Sequence, residues 1–154
     1  MLESFAATIE ASRLGVFVQD SPWAYPVANL VHLLGLVLLV GGIGIVDLRL
    51  AGLFRSLPLV PLMRTLTPLA IGGFVLTALS GPLLFAADAA TLSGSTTLGW
   101  KLALIAIAGV NAAAFRWVRR GDSGEATALE RSFALASMTL WLTVAALGRM
   151  IAYT

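Results

Sequence analysis

Four long apolar stretches separated by short polar segments dominate the pattern of this chain. They cover about residues 27–46, 65–87, 98–118 and 132–153. Each is long enough to cross the hydrocarbon core of a bilayer as one α-helix, which takes about 20 mainly apolar residues. The pattern therefore predicts an all-α fold, an integral membrane four-helix bundle that forms a single transmembrane domain over residues 1–154.

The segment before the first span has a different, amphipathic pattern. Leu2, Phe5 and Ile9 recur at roughly helical spacing, with charged residues between them. This spacing predicts a short interfacial helix over about residues 2–19, lying at the membrane surface. A frayed polar leader is the alternative. We do not expect a signal peptide, because Glu3 precedes any basic residue. Trp23 then marks the entry of the first span, since tryptophan favours the headgroup level.

Composition supports the membrane assignment and removes several kinds of chemistry. The chain is 58% hydrophobic and 12% charged, with a mean hydropathy of +0.91. Soluble domains carry about twice that charged fraction. The chain has no cysteine, which excludes disulfides, thiolate metal sites and covalently attached haem. The basic residues stand at the ends of apolar runs, so they indicate membrane topology and not nucleic-acid binding.

Arginines concentrate in two of the three loops between spans. The first of these loops contains Arg49, Arg55 and Arg64, and the other contains Arg116, Arg119, Arg120 and Arg131. Alternating spans place both loops on one side, which the positive-inside rule assigns to the cytoplasm. We therefore expect both termini to be extracytoplasmic, in a bacterial-type inner (plasma) membrane. This topology places three basic residues, His32, Lys101 and Arg149, in the outer half of the bundle.

Small residues in the spans are interpreted as helix-packing positions. Ala28, Gly35 and Gly42 recur every seven residues along the first span. On the third span, either Ala108 with Ala112 or Gly109 with Ala113 gives a spacing that lets helix backbones approach closely. In the second span, Pro82 predicts a kink.

Four polar residues near the cytoplasmic ends of the spans are interpreted as structural. They are Asp47, Arg49, Asn111 and Arg116. We expect them to form interfacial ion pairs or to cap helix ends.

His32 is the only histidine and lies inside the first span. An imidazole there needs a partner, because lipid offers no water to satisfy its nitrogens. One interpretation is a neutral ring hydrogen-bonded to a neighbouring helix, with Ser80 or Thr77 as partner. The other is an axial ligand of a haem held between the helices of the bundle. A copper site is the less favoured metal alternative, since copper(I) needs several soft or imidazole donors and the methionines are dispersed.

Lys101 and Arg149 also allow two interpretations. Either residue alone is explained by snorkelling, in which a long side chain brings its charge to the interface. Alternatively, both cations bind the haem at the depth of His32. They would pair with its propionates, or Lys101 would approach the iron as a neutral amine.

Three short motifs carry a resemblance to a known group of membrane proteins. They are His32-x-x-Gly35, then Asp47-Leu-Arg49-Leu-x-Gly52, then Leu98-Gly-Trp-Lys101-Leu-Ala-Leu ahead of Asn111. Over about the first three spans, the chain resembles the proteins grouped around the copper-resistance protein CopD and the HemJ-type protoporphyrinogen oxidases, especially their small four-helix relatives. The resemblance implies that His32 and Lys101 bind haem.

These observations predict a b-type haem protein that works in electron transfer or haem-linked oxidation. The predicted site residues are His32 as the metal ligand, with Lys101 and Arg149 as further cofactor-binding residues. The competing class is a non-enzymatic membrane subunit or a CopD-like copper-transport relative. The expected partners are the lipid bilayer and either a second copy of the chain or a membrane-complex partner, with no nucleic acid.

Overall fold

The structure, a computed structural model, describes residues 2–119 and 125–153, and this part of the chain is made of helices joined by short loops, with no strand. The all-α prediction is confirmed. Four helices are long and apolar enough to span a membrane. The elements in chain order are α1 (Leu2–Glu10), α2 (Arg13–Asp20), α3 (Ala24–Ala51), α4 (Leu59–Ala86), α5 (Ala89–Ser93), α6 (Thr96–Val118), α7 (Ala128–Met150) and a closing 3₁₀ turn, Ile151–Tyr153.

The four long helices pack in the order α4, α3, α7, α6. The closest pair is α3 with α4, α7 packs on both α3 and α6, and the described residues of α4 and α6 make few close backbone contacts at most. Successive long helices alternate in direction, so the bundle has two ends. We call them the His32 end, where α3 begins and α4 finishes, and the Asp47 end, where α3 finishes and α4 begins. The arginine-bearing loops that the sequence placed together both lie at the Asp47 end. Arg120 is outside the described residues.

Glycines hold α3 and α4 in close contact. A Cβ atom added at Gly35 would lie 2.8 Å from the Gly73 carbonyl oxygen, and one added at Gly73 would lie 2.5 Å from the Gly35 carbonyl oxygen. Gly42 faces Ala70 in the same interface, and Ala28 is buried. The packing role predicted for the seven-residue repeat is therefore confirmed.

Two apolar clusters fill the interior of the bundle. One joins Leu39, Ala70, Ala108, Trp141 and Val144, and the other joins Val46, Leu50, Leu59 and Ala134. On α6, Ala108 is buried whereas Gly109 has open space beside it, so the face that carries Ala108 is the packed one. Large apolar side chains on the outer faces stay exposed, as in Leu30, Val37 and Val110. Such a surface fits contact with lipid.

The second span begins earlier than the sequence predicted. The sequence predicted a second span from about residue 65, whereas α4 is helical from Leu59, directly after Pro58 and with Pro61 in its first turn. Proline fits the first turn of a helix, because the backbone N–H it lacks has no partner there. Pro68 and Pro82 lie inside α4 without ending it.

The N-terminal segment forms two short helices, where one was predicted. Ser12 separates them, and its hydroxyl caps α2 by accepting a hydrogen bond from the Gly15 amide at 3.2 Å. Gly15 permits the close return of the chain, since a Cβ atom there would lie 2.3 Å from the Glu10 carbonyl oxygen. The Glu10 carboxylate then accepts a hydrogen bond from the Ala90 amide at 2.7 Å. The segment is thereby attached to the His32 end of the bundle.

Candidate functional site

The candidate site is built on α3 and α4 near the His32 end. His32 lies about two turns into α3 and is half-buried. Its Nδ1 atom lies 2.9 Å from the hydroxyl oxygen of Ser80 on α4, and Ser80 is almost fully buried. The pairing with Ser80 is one of the two partners that the sequence suggested for a hydrogen-bonded histidine.

The bonds of Ser80 decide which nitrogen of His32 carries the proton. The Ser80 hydroxyl donates to the Leu76 carbonyl oxygen at 2.6 Å, and a hydroxyl has only one proton to give. The Ser80 oxygen must therefore accept from His32, whose Nδ1 atom is then the protonated nitrogen. The Thr77 carbonyl is a further acceptor for the same ring. In the neutral imidazole this arrangement leaves the Nε2 lone pair free to bind a ligand.

The position of the ring agrees with this assignment. A Cβ atom added at Gly81 would lie 3.6 Å from Cε1 of His32, so the edge that carries Nδ1 and Cε1 faces α4. Metal-binding histidines commonly donate their other N–H group to a carbonyl or an oxygen ligand of the second layer, which fixes the tautomer and the ring orientation. Ser80 holds His32 in that manner.

Lys101 is the second predicted residue that the structure brings to this site. It is half-buried near the start of α6, and its charge interacts with His32. Its Nζ atom lies 3.2 Å from the point where a Cβ atom of Gly148 would stand, so the side chain crosses from α6 towards α7. A charged amine placed inward in this way differs from the snorkelling lysine that the sequence also allowed.

Arg149 is directed elsewhere. Its side chain is exposed, its guanidinium lies 4.9 Å from the centre of the Tyr153 ring, and it donates a hydrogen bond to the Tyr153 hydroxyl. The described contacts of Arg149 thus belong to the end of α7. The described contacts therefore join His32 to its orienting partner Ser80, while Lys101 contacts α7 at Gly148 and is close enough for its charge to act on His32.

The donor set of the described residues limits the kind of metal site. Within residues 2–119 and 125–153, no group of three His, Cys, Asp or Glu side chains is placed to hold a metal ion. A mononuclear zinc or copper site needs such a group, whereas a haem iron takes a single axial imidazole from the protein. Among the described residues, His32 therefore offers a single imidazole nitrogen and is not part of a ligand set for a bare ion.

A second polar centre, which the sequence reasoning treated as structural, lies at the Asp47 end. Asp47 forms no ion pair with Arg49, which instead donates to the Leu57 carbonyl oxygen at 2.7 Å. The Asp47 side chain is only 4% exposed and is hydrogen-bonded to Ser137 on α7. Its Oδ2 atom has no hydrogen-bond partner among the described residues. The expected interfacial ion pair is therefore wrong for Asp47, because the side chain faces the interior of the bundle.

Asp47 lines a cavity of about 990 Å³ between the long helices. The wall is formed by all four spans, and the apolar end contains Leu39, Phe74 and Trp141. None of His32, Lys101 and Arg149 lines it. The spacing of α3 carries the signal that could have found Asp47, because Leu39, Ile43 and Asp47 follow one another at four-residue intervals and all line the cavity.

The other polar groups near this end have partners within the fold. Glu130 is buried and pairs with Arg119 at 2.8 Å, while its second oxygen accepts from the Thr127 amide in a capping box at the start of α7. Asn111 donates to the Phe133 carbonyl oxygen at 3.2 Å. These residues join α6 to α7, so Asn111 has a structural contact, although it is a bond between two helices and not the ion pair or helix cap that we expected.

Comparisons with protein-family models, with curated proteins and with solved structures each gave no match to this chain.

Proposed function

We propose that this chain is a multi-pass protein of a bacterial-type inner membrane that binds a b-type haem through Nε2 of His32. The observation that carries the proposal is the Ser80 hydroxyl, which gives its proton to Leu76 and accepts one from Nδ1 of His32. Here the second nitrogen stays available on a ring that is half-buried and already oriented.

Lys101 is the second residue of the proposed site. Its half-buried amine shares the electrostatic surroundings of His32, although it belongs to a different helix. It would hold the haem either by pairing with a propionate or, as a neutral amine, by ligation. Arg149, the other predicted cation, follows Gly148 in the chain, but its described contacts go to Tyr153 in the 3₁₀ turn and not to Lys101 or His32.

A haem bound there would supply one-electron chemistry, which suits electron transfer or haem-linked oxidation. The protein's own contributions are the orientation of the imidazole by Ser80, the positive charge of Lys101 and the apolar helices that limit access of water. The motifs around His32, Asp47 and Lys101 support a relationship to the CopD and HemJ groups. The arginines at the Asp47 end support the orientation with both termini outside the cytoplasm.

The test is an optical titration of the purified, detergent-solubilised protein with hemin. We expect a Soret band that saturates at one haem per chain in the wild type and is absent in His32→Ala. The matched control is Thr77→Ala, which removes a neighbouring polar side chain whose hydroxyl bonds only within α4. A protein that stays colourless after titration would contradict the proposal and favour the non-enzymatic subunit or copper-transport alternative.

A further inference from the structure

The cavity at the Asp47 end has the polarity of a site for an amphiphile. Asp47, Arg64 and Arg116 line its polar end, and Leu39, Phe74 and Trp141 line its apolar end. The two ends are about 12 Å apart along α3, measured from Leu39 to Asp47 at the rise of an α-helix. Its volume of about 990 Å³ is at the upper end of the range for small-molecule sites.

The cavity also has a route to the bilayer. It is lined by α4 and α6, and the described residues of these two spans make few close backbone contacts at most. An amphiphile in the leaflet at the Asp47 end would meet this gap with its head level with the loops and its chains directed towards the middle of the membrane. The polar end of the cavity therefore lies level with the head group of such an amphiphile, and the apolar end lies level with its chains.

The buried Asp47 carboxylate specifies the kind of head group. The side chain is 96% shielded from solvent, and its Oδ2 atom lacks a donor among the residues that the structure describes. Burial of an acceptor without a donor is unfavourable, so a ligand that supplies an N–H group there is stabilised. The arginines at the same end provide donors for an anion.

We propose that this cavity binds an amine-bearing phospholipid, with its ammonium group donating to Asp47 and its phosphate accepting from Arg116. An anionic lipid without an amine would bind Arg116 and leave Asp47 without a strong donor. A choline lipid carries the positive charge but has no N–H group. The primary amine and the phosphate together satisfy both signs of charge on the cavity wall, and an acyl chain fills the end beside Trp141. The proposal requires a membrane location and is independent of haem.

The test measures which lipid the intact protein retains. Protein in detergent is mixed with equal amounts of phosphatidylethanolamine, phosphatidylcholine and phosphatidylglycerol that carry identical acyl chains, and the bound lipid is measured by native mass spectrometry. We expect the wild type to favour phosphatidylethanolamine about tenfold or more, the size expected for one charge-assisted hydrogen bond. Asp47→Asn removes the charge and is expected to abolish most of that preference. Asp88→Asn, which changes an exposed aspartate at the other end, is the matched control.

A second pair of variants tests the cavity without changing Asp47. Gly109 lines the cavity and has nothing within 4 Å of its Cβ position, so Gly109→Leu fills the space from α6 without displacing a neighbour. We expect it to lower total lipid retention severalfold. Gly72→Leu places the same side chain in open space outside the cavity and is expected to have no effect.

Three results would overturn the proposal. Equal retention of ethanolamine and choline lipids by the wild type removes the role of the N–H donor. A preference that persists in Asp47→Asn removes the role of the carboxylate. Selection of phosphatidylglycerol over both other lipids would assign the cavity to an anionic lipid instead. Each readout is a lipid ratio, so a failure here is separate from a failure of haem binding.

Discussion

The hydrogen bond between His32 and Ser80 gives the sharpest single-residue prediction. Ser80→Ala removes the oxygen that accepts from Nδ1 and leaves the imidazole and the rest of α4 in place. We expect the variant to fold and to bind haem, but less tightly than the wild type. The reason is that the ring loses the acceptor that fixes its tautomer and orientation.

The size of the effect follows from the contacts of the ring. Replacing an outer partner of a metal-binding residue typically weakens metal affinity by about 10–100-fold. In this protein the Thr77 carbonyl remains as an acceptor for the same ring, so the loss is expected at the lower end, about tenfold. The hydroxyl bond from Ser80 to Leu76 is also lost, and a net hydrogen bond is worth about 0.5–1.5 kcal/mol of folding stability.

The assay is a hemin titration that gives the dissociation constants of wild type and variant under the same conditions. Ser132→Ala is the matched control, because the Ser132 hydroxyl also donates to a carbonyl one turn back but contacts no histidine. An unchanged affinity in Ser80→Ala, together with loss of haem in His32→Ala, would refute the tautomer argument. It would show that His32 needs no orienting partner to bind haem.

Three further predictions test other parts of the account. Lys101→Met is expected to weaken haem binding about tenfold or more, because a charge-assisted hydrogen bond is lost. An unchanged haem spectrum in Lys101→Arg would indicate that Lys101 pairs with a propionate and does not bind the iron. Unaltered haem affinity in Lys101→Met would remove this residue from the site. The chain has no cysteine, so a single introduced cysteine can be labelled specifically. Ser93→Cys should react with a membrane-impermeant thiol reagent added to whole cells, whereas Ser56→Cys should react only after lysis. The opposite labelling would reverse the predicted orientation. Gly73→Ala should destabilise the protein by about 1–3 kcal/mol in reversible unfolding in mixed micelles, because its Cβ atom would lie 2.5 Å from the α3 backbone. Gly72→Ala, the control, should not destabilise it. Equal stability of the two variants would count against the close contact between α3 and α4.

The fold was largely predictable, because a helix that crosses a bilayer needs about 20 mainly apolar residues and such runs are visible in the sequence. The four spans, their alternation and the glycine face of α3 follow from residue spacing alone. The predicted start of α4 was too late. Pro58 and Pro61 look like helix breakers in the sequence, but Pro58 is the N-cap residue and Pro61 lies in the first turn, where proline is tolerated. The break at Ser12 was missed because apolar periodicity continues across it, and only the contact with Gly15 reveals the turn.

The candidate site was predictable in part. A single histidine inside a span is conspicuous, and Ser80 was one of two partners within reach. The approach of Lys101 to His32 depends on how α6 is rotated against α7, which apolar periodicity does not define. Arg149 lies at the His32 end of the bundle, but its described contacts go to Tyr153, four residues further along the chain.

The burial of Asp47 inside the bundle was not predicted from the sequence. A charged residue at the end of an apolar run ordinarily marks the interface, and a neighbouring arginine suggests an ion pair. The structure separates the two, since Arg49 bonds to the Leu57 carbonyl and Asp47 faces inward to Ser137. The rotation of α3 that buries Gly35 and Leu39 also buries Asp47, so the helix face was the informative property and not the position along the span.

The central claim is that His32 binds one haem. The most direct measurement is the haem content of protein purified from membranes, determined as the pyridine haemochrome and divided by chain concentration, after saturation with hemin. The account predicts one b-type haem per chain in the wild type and none in His32→Ala, with both proteins eluting as folded species. Absence of haem in the saturated wild type, or equal haem content in His32→Ala, would contradict it.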